Sequence, residues 1–290
     1  MPRKGNLKTT YLCLVAMSLK PKSPTTKTRP KTDVPESSLE RMIGLLDLFQ
    51  GVDHCWTVEQ MHKRLGYTRS TLYRYLKVLS DAELLTSLPD AGYTPGPRIV
   101  ELDYDIRKHD PLIVASIPVM VELVSDIPST ALLCRRYRDK VLCIHRVAHP
   151  SVSIESTYER GRARPLFSGA ASRIILANIS PQHLKRLYEQ QPKDFTTGHL
   201  GKTFEEISKA LKDIRQRGWD QTTGQVTPGI TGVAAPIFDT NKNVLGSLSL
   251  SIADKTVGIQ RLSSIADRVM LCARIVSQAM YGQRGRDAPS

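Results

Sequence analysis

Several kinds of segment are missing from this 290-residue chain, and each absence removes a class of protein. No apolar run approaches the roughly 20 residues that a membrane span needs. The longest near the start, Tyr11–Leu19, follows a basic opening and resembles a signal-peptide core, but it is short and no cleavage site follows it. The five cysteines (Cys13, Cys55, Cys134, Cys143, Cys272) contain no CxxC and no Cys/His ligand spacing, which argues against a zinc site. Their odd number argues against a secreted disulfide framework. There is no GxSxG, no phosphate-binding P-loop, no GxGxxG ahead of a helix and no paired metal-ligand spacing. His145 and His149, four apart in an expected strand, share a side but are too widely spaced to chelate easily. These absences point to a cytoplasmic protein with no membrane partner, no cofactor, no metal and no catalytic residues.

Acid is the next thing in short supply, and only in places. Residues 1–32 hold eight Lys/Arg and no acid, while residues 33–110 hold nine basic and thirteen acidic residues. The formal net charge of +13 is therefore carried by the N-terminal tail and by the chain beyond residue 110. Within the acidic stretch, Gln60–Ser80 contains Lys63, Arg64, Arg69, Arg74 and Lys77 and neither Asp nor Glu. A localised cationic patch on an acidic background suits contact with a phosphate backbone better than a generally sticky surface does. The tail, residues 1–36, reads as a disordered segment rich in Lys, Pro, Thr and Ser, and Met17 offers a second plausible start. Its charge fits either non-specific DNA affinity or simple solubilisation.

What is present around that patch is a run of short helices. Ser37 and Glu40 have capping-box spacing ahead of a helix over Ser38–Phe49, with Leu39, Met42, Ile43, Leu46 and Phe49 as its apolar stripe. Thr57 and Gln60 repeat the device for a second helix with Val58, Met61 and Leu65 facing inward, ended at Gly66. A third helix starts near Arg69 with Thr68 as cap. Leu72, Leu76 and Leu79 form its core side, and Arg69, Ser70, Thr71, Tyr73, Arg74 and Lys77 its other side. Those groups suit phosphate and base-edge contacts. With Lys63 and Arg64 they are the candidate DNA-binding residues, although a charged stripe can also be a plain solvated face. The turn Leu88–Gly92 between two short strands predicts a winged helix over 37–96, with no Lys or Arg in the wing. Pro97 opens a linker helix to residue 110, with Ile99, Leu102 and Ile106 on one face, of the kind that pairs across a dimer.

Residues 111–282 read as a second, α+β domain, followed by a short tail, 283–290. Leu112–Val124 is an apolar helix that Pro118 should kink or split. Thr130–Tyr137 and Val141–His149 form a hairpin that sets Cys134 opposite Cys143, most simply as two buried thiols. Val152–Thr157, Gly232–Phe238 and Val244–Ile252 are further strands. Gly169–Asn178, Pro181–Glu189, Thr203–Arg217 and Ile259–Tyr281 are helices. Strands flanked by helices on one face predict an antiparallel sheet with a ligand cavity. Small residues in Glu159–Ala171 stand at a helix N-terminus, where free N–H groups suit an anion. Small residues in Gly224–Phe238 leave room for a ligand, and equally suit tight packing of strand on helix.

The order of these elements resembles the IclR-type bacterial transcription regulators, from about Ser37 to Gly282. The resemblance rests on TRSTLYRYLKVL, the wing turn with Tyr93, GRARPLFSGAASRIILA, and RGWDQTTGQVTPGITGVAAPIFDTNKNVLGSLSLS. It implies an N-terminal winged helix-turn-helix reading a palindromic double-stranded operator, and a GAF-like C-terminal domain binding a small-molecule effector. It also implies a homodimer or homotetramer, often controlling a catabolic operon. The pocket positions it points to are Phe167, Ser168, Gly169, Ala170, Gln225, Ile230, Gly232, Val233 and Ala234. Relatives usually carry His at Phe167, Lys at Arg173, an acid at Gln225, and Cys or Ser at Gly232. The pocket here is thus less polar and lacks a negative charge.

The reading is a sequence-specific DNA-binding regulator sensing a small carboxylate or aromatic acid. A regulator that has lost effector sensing, or an enzyme using the C-terminal cavity, are the alternatives.

Overall fold

The computed structural model describes residues 37–50, 53–152, 159–254 and 259–283, which divide into two compact units at Tyr104/Asp105. The expected strand over Val152–Thr157 lies almost wholly outside the described residues.

In the first unit, helix α1 (Ser38–Gly44) tightens into a 3-10 turn over Leu45–Phe49. The tightening changes the phase of the apolar stripe. Leu45 is fully buried, while Leu39 and Ile43, expected inside, are exposed. α2 (Val58–Leu65) and α3 (Arg69–Asp81) follow. Both expected capping boxes are present, with Ser37 and Glu40 bonding reciprocally and Thr57 and Gln60 doing the same. Gly66 ends α2 at φ 73°, a conformation that favours glycine. Leu45, Met61, Leu72, Tyr75, Leu76, Leu79 and Leu85 make the buried core. The wing is the hairpin β1 (Leu85–Leu88) and β2 (Gly92–Pro95). Trp56 exchanges two backbone hydrogen bonds with Tyr93, 3.0 and 2.9 Å, pinning the wing to the segment before α2. A Cβ at Gly92 would lie 2.5 Å from the Trp56 carbonyl oxygen, so this approach requires glycine. Helix α4 (Pro97–His109) buries no residue.

The second unit is built on a six-stranded sheet of order β5-β4-β3-β8-β7-β6, antiparallel throughout. Its strands are β3 (Thr130–Tyr137), β4 (Lys140–Ala148), β5 (Ala163–Pro165), β6 (Asp220–Thr223), β7 (Ile230–Phe238) and β8 (Val244–Ala253). Its helices are α5 (Pro111–Asp126), α6 (Ala170–Ala177), α7 (Pro181–Gln190), α8 (Pro192–Thr196), α9 (Phe204–Arg217) and α10 (Ile259–Gln283). Helices cover both faces, where the sequence suggested one. Alternate strand residues sort accordingly: Leu132, Cys134 and Ala234 pack with α6 and α9, and Ala131, Leu133, Val233, Ala235 and Leu250 pack with α5 and α10. Cys134 does face Cys143, beside a bulge between Leu133 and Cys134, and both are buried free thiols.

Pro118 neither splits nor ends α5, which runs unbroken over 16 residues. An interior proline costs about 3 kcal/mol. Each buried large apolar side chain returns about 1.5–3 kcal/mol, and α5 buries Leu112, Ile113, Met120, Leu123 and Val124, so packing wins. Arg268 of α10 ties the two helices by bonding Glu122 and Asp126 of α5.

Candidate nucleic-acid interface and effector cavity

The capped start of α3 sets the first candidate site. The Thr68 hydroxyl accepts from the Thr71 N–H and lies 2.9 Å from the Thr71 hydroxyl, so Thr71 is half-buried in the cap itself. Lys63, Arg64, Arg69, Ser70, Tyr73, Arg74 and Lys77 are exposed, on the side of α2 and α3 opposite the leucine core. Arg74 lies over the Tyr75 ring, 5.4 Å from its centroid.

An acid just outside the acid-free run enters the site. Glu59, in the first turn of α2, accepts through one oxygen from Arg69 Nε at 3.1 Å and Nη2 at 2.7 Å. That hydrogen bond holds the Glu59 carboxyl below its ordinary range. Hydrophobic periodicity carries no signal for this pairing across ten residues, since both side chains are polar and exposed.

The second candidate site is a cavity of about 30 Å³ between the start of α6 and the α6 side of β7 and β8. That is room for roughly two waters. Gly169, Ala170, Ile230 and Gly232 line it. Gly169 caps α6 at φ 83°, where a side chain would be strained, and a Cβ on Gly232 would meet Ala170 and Thr222 at 3.6 Å. The other positions suggested by resemblance sit elsewhere. Ala234 is on the same face but sealed beneath α6, and Val233 points through the sheet into the α5/α10 core. Phe167 joins an aromatic cluster, 5.4 Å from the Phe195 ring centroid, and Ser168 is half-buried but not in the lining.

Gln225 acts on the helix end. Its Oε1 accepts from the Gly169 N–H at 3.3 Å, and Thr222 Oγ1 accepts from the Ala170 N–H at 3.1 Å. These two N–H groups, expected to be free for an anion, are occupied by neutral side-chain oxygens. The lining residues missed by sequence include Thr222, Ser249 and Ser251. A signal existed in the alternation Ser247-Leu248-Ser249-Leu250-Ser251, which puts serines on the cavity face and leucines in the core. Beside the cavity, Arg173 Nε stands 2.9 Å from Asp220 Oδ2, with both side chains largely buried.

His145 lies within β4 and His149 just beyond its end, and no group of three or more His, Cys, Asp or Glu among the described residues could hold a metal. No helix among the described residues is long and apolar enough to cross a membrane.

A helix-turn-helix unit with a cationic third helix, joined in sequence to a sheet domain with an internal cavity, defines the class of DNA-binding transcriptional regulators. The model of the IclR helix-turn-helix domain matches residues 38–89, and that of the bacterial transcriptional regulator IclR C-terminal domain matches residues 106–278. The chain belongs to the IclR family. It is 25% identical to the HTH-type transcriptional regulator BhcR of Paracoccus denitrificans, over 84% of this chain and 87% of that protein. Its fold is that of the IclR-type regulator from Alicyclobacillus acidocaldarius, with TM-score 0.72, 22% identity, and 86% of this chain and 100% of that one covered. An IclR homologue from Microbacterium hydrocarbonoxydans, solved with 4-hydroxybenzoate, matches at TM-score 0.65 and 17% identity, over 85% of this chain and 100% of that one.

Proposed function

We propose that the protein reads a palindromic operator as a homodimer or homotetramer, controls a catabolic operon, and answers to a small carboxylate or aromatic acid. The domain limits that go with this reading are 37–96 for the winged helix, 97–110 for the linker and 111–282 for the effector domain. The observation that carries it is the exposed face of α3, where Arg69, Ser70, Tyr73, Arg74 and Lys77 project away from a leucine core. Arg74, in the second turn, is assigned to a base edge; Lys63, Arg64 and Lys77 to phosphates, with Thr71 supporting the cap. Arg74→Ala should lower operator affinity by about 1–3 kcal/mol, roughly five- to 150-fold, and relax specificity at one base pair. Gel-shift titration against operator variants reads both effects, and unchanged affinity and specificity would remove Arg74 from the assignment.

For sensing, the cavity bounded by Gly169, Ala170, Ile230 and Gly232 supports an effector site that opens to admit its ligand. A specific observation favours a second reading, loss of sensing: the cavity holds about 30 Å³, against the 300–1,000 Å³ common for ligand pockets. Thermal-shift screening against small carboxylates separates the two. Saturable stabilisation supports the first, and no response across a broad panel supports the second.

A further inference from the structure

A larger space lies on the other side of the sheet. A cleft of about 430 Å³ runs between the end of β7 and α10, walled by Ala235, Pro236, Phe238, Met270 and Ser277, with Arg274 on its wall. Ala235 packs toward α5 and α10 whereas Ala234 packs toward α6, so this cleft is separate from the family cavity. Its volume falls within the usual range for small-molecule sites, which the family cavity does not.

The walls are chemically specific. β6 pairs with β7 only as far as Asp220 opposite Ala234, so β7 beyond that point has no neighbour on its β6 side. Pro236 has no N–H to leave open there, and the Phe238 N–H is taken by Ser277 Oγ at 3.1 Å. Ser277 in turn donates to the Ala273 carbonyl at 2.8 Å. The edge is thus quiet toward a further strand, and the space beside it is largely apolar. Gly218, the left-handed cap of α9 at φ 80°, also lines the cleft, next to Met270.

Arg274 supplies charge to this apolar space. Positions 270, 271, 277 and 278, its neighbours one turn away on α10, are Met, Leu, Ser and Gln. No acid on its own helix therefore neutralises it, and among the described residues it makes no ion pair. We propose that this cleft is a second small-molecule site, taking a monocarboxylate with a compact apolar or aromatic body: the carboxylate on Arg274, the body against Phe238, Met270 and Pro236.

The test uses the full-length protein with 13C-methyl methionine, titrated with benzoate and with benzamide as its uncharged counterpart. The Met270 methyl signal, identified by its loss in Met270→Leu, should move saturably with millimolar benzoate. Benzamide should act at least about tenfold more weakly, because it lacks the charge-assisted bond. Arg274→Gln, a surface change that leaves the fold intact, should reduce the benzoate response to that of benzamide. A Met270 signal that stays fixed up to about 10 mM benzoate overturns the proposal. So does one that answers equally to benzamide, or equally in Arg274→Gln.

Discussion

At the scale of single residues, Arg173 and Asp220 show how burial and pairing compete. Their side chains are 12% and 1% exposed, with Arg173 Nη2 donating to Asp220 Oδ1 at 3.3 Å and Arg217 adding a contact at 3.3 Å. Burial pushes the Asp220 carboxyl up and the Arg173 guanidinium down, and the opposite charge of each partner pulls against that. For both groups desolvation wins. The pair is therefore weak evidence of net stabilisation, but removing one partner strands a buried charge. Arg173→Ala should destabilise the protein by about 3 kcal/mol, the low end for a broken buried pair because Arg217 remains. The sign with pH follows from the raised carboxyl. A group that holds its proton more tightly when folded favours the folded state as pH falls. The deficit should be largest near pH 8 and shrink as pH drops toward the ordinary aspartate range near 4. Urea denaturation at several pH values reads this, and a deficit that grows on acidification would contradict it. Arg173→Lys keeps the charge and should lose much less.

At the scale of elements, the α2–α3 pair carries local instructions that could be read directly. Thr57, Gln60, Gly66 and Thr68 are capping and stop residues whose effects act within one turn, and the structure uses all four. The clamp from Glu59 to Arg69 acts between the helices. Since both side chains are well exposed, it adds little to stability. If α3 reads DNA as proposed, its effect would fall on recognition: a carboxylate that fixes one edge of the Arg69 fork would also repel phosphates in the wrong register. Glu59→Gln should leave the melting temperature nearly unchanged, raise affinity for non-cognate DNA, and lower the ratio of operator to non-cognate affinity. Fluorescence anisotropy with both duplexes at two salt concentrations measures this, and a preserved ratio would refute it.

The elements that escaped the sequence are instructive in the same terms. β6, Asp-Gln-Thr-Thr, alternates buried and exposed residues correctly, but its buried side is Asp220 and Thr222, so no hydrophobic period marks it. β5 has three residues and α8 five, too few for a periodic signal. In α1 the apolar residues are visible in the sequence, but neither the change to 3-10 winding at Leu45 nor the exposure of Leu39 and Ile43 is. The cavity was legible as small residues in Gly169, Ala170 and Gly232. Which side of β7 faced it was not, because a strand covered on both faces places apolar residues on both. Val233 and Ala234, which the resemblance names together, point to opposite cores.

At the scale of the whole molecule, the proposed dimer needs a surface that would join two copies. α4 buries nothing, yet Ile99, Leu102 and Ile106 recur on one face, each between 38% and 50% exposed. Scattered exposed apolar residues need no explanation, but an aligned stripe along a helix marks a contact surface. Its place in the chain fits the linker role, since α4 spans the boundary between the two compact units. A dimer made there would pair two winged helices, matching a palindromic operator with half-sites about one helical turn apart. Leu102→Glu combined with Ile106→Glu should halve the mass seen by light scattering if the assembly is a dimer, or reduce a tetramer to dimers if other surfaces hold it. Neither core loses a buried residue, so the thermal transitions should be preserved. Operator affinity should fall toward that of a single half-site while affinity for non-cognate DNA, which the proposed reading assigns to Lys63, Arg64 and Lys77, should change little. An unchanged mass with unchanged operator affinity would move the dimer contact elsewhere and leave the α4 stripe without a partner.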